Sequence, residues 1–532
     1  MKSRLRCCVL ILTATIVAAA VRLPLLAQRP MHGDEAVHAV KFGDLLQDGS
    51  YRYNPHEYHG PTLNYMTLIP AWLSGQSNFE DVTEFTLRIV PVFFGVMLVF
   101  GLLLLVDGLG GWPTAVAALL TAISPALVFY SRYYIQEMLL VCFSFGIILC
   151  GYRYLQSKKL LWALLAGIFA GLCHATKETC LIVFASMLLA LFFTWLKLSR
   201  HRGKQQIGEL VKPWHVAAAA VVAAVVSMLF FSSFFTNPRG IVDSIAAYTT
   251  YFHRAGGNQF HIHPWYYYLK MIIYSKCGGG PLWTEAIIVL LACVGFFAAM
   301  KKKNVPGIDA GLLTFVAFYT LIMTAAYSAI PYKTPWCMLG FLHGMILLAG
   351  VGAVVLVRLL PKGLPRAAGL FLLAAALLHL GWQCYTANYR YYTEPRNPYV
   401  YAHPTKDVVA IANRVKDIAA VSADGLNMPV QVVCTGHDYW PFPWYLRTMP
   451  NVYWWSSFDN NVKPAQVIII SADEENALAK FIDRPPPVDL YVHLFGRDMQ
   501  LRPQVELKCY VTKDLKDLYM QNNLTPDGAH RR

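Results

Sequence analysis

Residues 137–200 read EMLLVCFSFGIILCGYRYLQSKKLLWALLAGIFAGLCHATKETCLIVFASMLLALFFTWLKLSR. Three apolar runs, beginning near Glu137, Leu160 and Thr179, are separated by short polar turns. A bilayer core of ~30 Å takes about 20 helical residues, which is close to the length of each run. The turn at 153–159 and the stretch 197–212 are basic, whereas the turn between them, 174–178, carries both signs. Apolar runs alternating with basic and mixed turns specify a polytopic α-helical membrane protein.

Working outward, further runs begin near Cys7, Thr86, Trp112, Trp214, Leu282, Gly311, Trp336 and Ala367, so about eleven transmembrane helices are expected. The first follows Lys2, Arg4 and Arg6 and continues through Val21 to Leu26 without a small-residue cleavage site, so it is expected to span rather than to be a signal peptide. Composition agrees, since 532 residues with 56% hydrophobic and 14% charged side chains and a mean hydropathy of +0.41 do not describe a row of soluble domains.

The net charge of +14 has a topological origin. Alternating the spans from a cytoplasmic N-terminus puts the basic segments 153–159, 197–212, 301–303 and 358–366 on the cytoplasmic side, the positive-inside pattern. Charge distributed this way gives no reason to expect a nucleic-acid partner. The same alternation places 27–84, 130–136, 174–178, 234–281, 327–335 and everything after residue 384 outside. Segment 62–73 is apolar but too short to span, which suits a helix lying in the interface. Twelve scattered cysteines without a Cys-x-x-Cys pair form no metal framework.

After residue 384 the pattern changes to a helical segment at 406–420, β runs at 430–434 and 467–470, and a helical segment at 474–481. This alternation predicts a small C-terminal extracytoplasmic α/β domain with a parallel core. The expected division is a membrane domain over 1–384, with outer loops 27–84 and 234–281, and an outer domain over 385–532. Cys434 and Cys509 would lie in that domain outside the cytoplasm, where a disulfide is open to them, and the last ten or so residues have the composition of a frayed end.

Chemistry concentrates on the outer connections. His32-Gly33-Asp34-Glu35-Ala36-Val37-His38 follows the first span, with Tyr58-His59-Gly60-Pro61 behind it. A carboxylate there would accept a proton from an attacking hydroxyl or hold a metal, and would equally serve as a helix-capping acid in a solvated loop. Ser131-Arg132-Tyr133-Tyr134-Ile135-Gln136-Glu137 is a short turn near the lipid boundary, where Arg132 and Glu137 must pair or face a polar cavity. His174-Ala175-Thr176-Lys177-Glu178 and Tyr332-Lys333-Thr334-Pro335-Trp336 add lysines that would neutralise a phosphate or snorkel to the interface. In 234–281, His261 and His263 without a third ligand are weak evidence for a metal, and Arg and Lys among aromatics suit a phosphate headgroup as well as an interfacial belt.

On these motifs the sequence resembles the GT-C superfamily of membrane glycosyltransferases, which includes the protein O-mannosyltransferases and the lipid A aminoarabinose transferase. The full set, with Asp438-Tyr439-Trp440-Pro441 to Trp444-Tyr445-Leu446-Arg447, is similar to the flippase-activity-associated branch of archaeal-type glycosylation. The resemblance implies a GT-C fold, a polyprenyl-phosphate sugar donor, membrane lipid as a partner, and an inverting displacement at the outer face of the membrane. It assigns Asp34, with Glu35 and Glu137, to catalysis. Arg132, Lys177 and Lys333 would take the donor phosphate, and His32, His59, Glu178, Tyr332 and Arg447 would contact substrate, Arg447 alternatively fixing the outer domain by a salt bridge. The sugar and acceptor stay open, as does a divalent metal, for which no clear ligand set exists. A flippase or flippase-accessory role is the rival reading; it would use the same basic residues and have no need of Asp34 as a base.

Overall fold

A computed structural model of the chain describes residues 2–56, 59–202, 211–257, 261–301, 305–459, 461–482 and 490–524. Tyr58, residues 203–210 of the basic loop, Lys302, Lys303 and the chain end from 525 lie outside them. Contacts divide the chain into two compact units. One comprises Met1–Leu26, Asp44–Gly75 and Phe85–Tyr401, the other Ala27–Gly43, Gln76–Glu84 and Ala402–Arg532.

In the first unit all eleven apolar runs are helical. Among the described residues, seven helices are long and apolar enough to cross a membrane, or eight if the bent pair Gly111–Ile123 and Pro125–Ser131 counts as one span. This is an integral membrane protein. The expected number of about eleven is not reached on that measure: Leu160–His174 and Ala286–Met300 have only 15 residues each and, at ~1.5 Å per residue, rise about 22 Å, and the first helix, Lys2–Ala20, is not among those counted. The bend of 56° falls at Ser124, where Pro125 has no N–H to continue the ladder. Ser124 caps the second half by accepting from Leu127 N at 3.5 Å.

Burial separates central helices from peripheral ones. Glu137–Ser157 and Pro335–Leu359 are 72% buried, against 11% for Pro213–Phe231. Lipid tails supply no hydrophobic drive between helices, so close backbone approach has to do the packing. Accordingly, a Cβ on Gly171 would meet the Ala223 carbonyl oxygen at 2.5 Å, and Gly167 sits against Ala219 in the same way. The short helix Thr62–Leu73 buries Thr62, Leu63, Asn64, Thr67 and Ala71 and exposes Ile69, Trp72 and Leu73, a division suited to a bilayer interface.

The second unit is built on one six-stranded sheet: β1 (Val430–Val433), β2 (Val452–Trp455), β3 (Val467–Ser471), β4 (Tyr491–His493), β5 (Met499–Arg502) and β6 (Val505–Thr512). The order is β2-β1-β3-β6-β4, with β5 paired to β6. β1 runs parallel to β2 and β3, but β6 is antiparallel to β3, β4 and β5. The expected parallel core is present as β2-β1-β3, and the antiparallel β4, β5 and β6 make the sheet as a whole mixed. β4 and β5 are short, and β6 alternates polar and apolar residues, so none of the three reads as a buried parallel strand. Helix Lys406–Ala419 buries Val408, Ile411, Ala412, Val415 and Ile418, the i, i+3, i+4, i+7 stripe of an amphipathic helix. The disulfide left open between Cys434 and Cys509 is absent: both are free buried thiols, and burial pushes the Cys434 thiol up to about 12.

Candidate active site

Within the second unit, the acidic motif opens helix Gly33–Asp48. His32 stands immediately before it: its Nδ1 accepts from Asp34 N at 3.0 Å, while Glu35 Oε2 accepts from His32 N at 3.0 Å. This is a reciprocal capping box with histidine in the capping position. Glu35 is fully buried with Arg29 at 3.9 Å, so its carboxylate is committed to holding the turn. Asp34 has its side chain 51% exposed, in the first turn of a helix, where the backbone dipole favours a carboxylate. The two adjacent acids thus divide into a structural one and an accessible one. His32 also lies edge-on to His403, centroids 4.9 Å apart, and the preceding Met31 N donates to the Tyr445 hydroxyl at 2.8 Å.

Arg447 belongs to the same unit. Its guanidinium donates to the carbonyls of Trp444 at 2.8 Å, Val82 at 2.7 Å, Phe79 at 3.3 Å and Glu80 at 3.4 Å. It also stacks 3.8 Å from the Trp444 ring centroid. These contacts tie segment 76–84 to the domain through carbonyls and a ring, not through the salt bridge considered from sequence.

Within the first unit, two motifs read separately from sequence meet. His59 Nδ1 lies 2.8 Å from Glu178 Oε2, and Tyr53 donates to Glu178 Oε1 at 3.0 Å. Gly60 permits this approach: a Cβ there would press into the Ala175 backbone, to whose carbonyl oxygen Thr62 N donates at 3.2 Å. Burial would raise the Glu178 carboxyl, but the charge and hydrogen bond of His59 with the Tyr53 bond outweigh it and hold the group below its usual 4.5. A lowered carboxyl contributes stability that is present above 4.5 and lost as pH falls through the lower folded value. His59→Ala is expected to move the acid limb of thermal stability to higher pH, read by unfolding in detergent across the acid range; an unmoved limb would refute the coupling.

Glu137 is the first residue of its helix and pairs with Lys177; both are buried. The Arg132–Glu137 pair considered from sequence is replaced by this one. Arg132 donates instead to the carbonyls of Arg22 at 2.9 Å and Leu25 at 3.3 Å and to the Tyr389 hydroxyl at 2.9 Å, closing the end of the first helix. Beside Glu137 a small cleft is lined by Leu140, Val141, Tyr327, Trp336 and Cys337 among others.

Lys333 differs from Lys177. It is 1% exposed and donates to the carbonyls of Ile330 and His263; among the described residues it has no carboxylate partner. Burial pulls its ammonium below the usual lysine range. It is held by a two-strand contact in which Lys333 N donates to His261 O at 2.9 Å and His263 N to Pro331 O at 3.1 Å. Tyr332 packs on His261, centroids 5.3 Å apart, and His261 Nδ1 lies 2.5 Å from the Tyr401 hydroxyl. His261 and His263 are thereby occupied by a phenol, not arranged as a metal pair.

Residues 63–239 match the sequence model of the dolichyl-phosphate-mannose-protein mannosyltransferase family. The structure is similar to ArnT from Cupriavidus metallidurans bound to undecaprenyl phosphate, with a TM-score of 0.61 and 15% identity over 95% of this chain and 98% of that one. It is also similar to the apo oligosaccharyltransferase of Archaeoglobus fulgidus, with a TM-score of 0.56 and 12% identity over 91% of this chain and 69% of that one. The chain has the GT-C fold. The family match covers residues 63–239 only, and the likeness to the solved structures is one of fold. No curated protein sequence matches it.

In this GT-C chain, sequence reading missed Glu285. It is fully buried and accepts from Ser124 Oγ at 2.5 Å, Ala126 N at 3.0 Å and the Tyr399 hydroxyl at 2.8 Å. It thus stitches the helix break that precedes the Ser131 to Glu137 turn. The available signal was a lone acid at the head of an apolar run. A metal was left open from sequence; among the described residues no group of three or more His, Cys, Asp or Glu side chains could hold one, so no step here is routed through a metal.

Proposed function

We propose that this protein transfers a sugar from a polyprenyl-phosphate-linked donor to an acceptor at the outer face of the cytoplasmic membrane, with the domain after residue 401 extracytoplasmic. The observation that carries the reading is the accessible carboxylate of Asp34: the capping box uses His32 and Glu35 and leaves the Asp34 side chain 51% exposed, with His32 Nδ1 at 3.9 Å. In an inverting displacement the acceptor hydroxyl attacks the anomeric carbon, the bond from that carbon to the phosphate oxygen breaks, and the phosphate departs with the electron pair. Asp34 takes the hydroxyl proton or orients the hydroxyl. Lys333, a buried cation with carbonyl partners only among the described residues, supplies positive charge for the leaving phosphate, a form of electrostatic stabilisation. Lys177, already neutralised by Glu137, contributes less net charge. Support for a lipid-phosphate donor comes from the undecaprenyl phosphate bound by the similar ArnT.

Lys333→Met removes one charge-assisted contact, ~1.5 to 3 kcal/mol, so affinity for a polyprenyl phosphate should fall about 10- to 100-fold by direct titration in nanodiscs. Unchanged affinity would remove Lys333 from the donor site. Topology is checked by reporters fused after residue 400 and within 197–212: the first should report outside, the second cytoplasmic, and a cytoplasmic C-terminal domain would overturn the outer-face reading.

A further inference from the structure

In the second unit β1 lies between β2 and β3, both parallel to it, so the chain passes to one side after β1 and crosses to the other after β2. Such a reversal opens a crevice at the carboxyl ends of the strands, where α/β sheets bind ligands. The loop leaving β1 at this end carries His437, Asp438, Tyr439 and Trp440. It turns through two left-handed residues, Gly436 at φ 65° and His437 at φ 60°.

Asp438 accepts both arms of the Arg502 guanidinium, one at 2.6 Å, and the pair stays open, with side chains 38% and 30% exposed. Tyr439 lies over Trp454 of β2, centroids 5.0 Å apart, and beside Trp440 at 6.2 Å, inclined by 40° and 37°. All three rings are only half-buried. At the same end of the sheet, Ser471 closes β3; it is 7% exposed and its Oγ has no hydrogen-bond partner among the described residues. The register Val433↔Ile470 sets it beside Cys434, where the loop begins.

Half-buried aromatic rings beside a planar carboxylate–guanidinium pair match one ligand chemistry. A bare phosphate has no use for the rings, and an apolar segment would leave Asp438 and Arg502 desolvated and under-used. A pyranose uses both, its C–H face on the rings and its hydroxyls on the charged pair. We propose that Asp438, Tyr439, Trp440, Trp454 and Arg502 form a carbohydrate-binding subsite for a hexopyranose ring. The proposal deepens the transferase reading and rests on it for the origin of the sugar, which is either the donor or a glycan acceptor.

The test is saturation-transfer NMR on the full-length protein in nanodiscs with methyl glycosides of mannose, glucose, galactose and N-acetylglucosamine, and with a short-chain isoprenyl-phosphate hexose as a second arm. At least one probe should receive saturation at its ring protons, and the signal should fall about 5-fold or more in Trp454→Ala and Arg502→Gln, while Trp454→Phe retains most of it at an unchanged melting temperature. A response confined to the phosphate-linked probe marks the donor as the source; a response to a free glycoside marks the acceptor. No saturation transfer to any probe, or undiminished transfer in both Trp454→Ala and Arg502→Gln, would overturn the subsite. Binding is read without turnover, so an active enzyme that binds no probe fails this inference alone, and a binding protein without transfer fails the transferase reading alone.

Discussion

Asp34→Asn is expected to slow sugar transfer by about 10² to 10⁴ at unchanged protein abundance, the equivalent of ~3 to 5 kcal/mol of transition-state stabilisation. The substitution keeps the size and the bond from the residue 34 N–H to His32 and removes only an exposed negative charge, so folding has little reason to suffer. Donor binding should be largely intact, in contrast to Lys333→Met. Glu35→Gln supplies the comparison: it weakens a charged cap worth ~1 kcal/mol and should lower the melting temperature more than it lowers the rate per folded molecule. The measurement is transfer in membrane vesicles supplied with a lipid-linked sugar, normalised to folded protein. A fully active Asp34→Asn variant would sink the catalytic assignment and bring the flippase-accessory reading forward.

Lys177→Met should be the most destabilising single change among the site residues. Its ammonium and the Glu137 carboxylate are both buried and paired, and removing one member of such a pair strands the other charge at a cost of ~3 to 5 kcal/mol. The double substitution Glu137→Gln with Lys177→Met leaves neither charge of the pair and should recover most of that loss, read as thermal unfolding in detergent. Activity then separates two roles. If the pair is only a strut, the double variant regains transfer together with stability; if Glu137 also serves the chemistry, the double variant is stable and slow. Additive losses in the double variant would show that the two side chains do not act as a pair.

Helix positions were legible because each run is predominantly apolar, and every run from Cys7 to Ala367 is helical in the structure, two of them shorter than a full span. The small domain was partly legible: helix Lys406–Ala419 has a clear amphipathic period and β1 and β3 are largely apolar runs, while β4 and β5 are short and the local pattern of β6 does not name its antiparallel partners. Residue types at the outer turns were legible, but their partners were not. Arg132 and Glu137 are five positions apart and looked like a pair, yet Arg132 closes the first helix and Glu137 takes Lys177, 40 positions away.

What sequence determined by itself, then, is whatever depends on composition and short-range period: the membrane class, the apolar helices, the basic clusters and the set of charged side chains available to a site. Tertiary structure decided which of those charges are spent. The His32 and Glu35 capping box, the carbonyl clamps on Arg132 and Arg447, the Gly60 approach that joins His59 to Glu178, and the Glu285 stitch across the Ser124 break all depend on where backbone donors and acceptors come to rest. A buried charge must find a partner from whatever segment the fold delivers, and the separation in sequence between Glu285 and Ser124, or between Arg447 and Val82, carries no trace of that meeting.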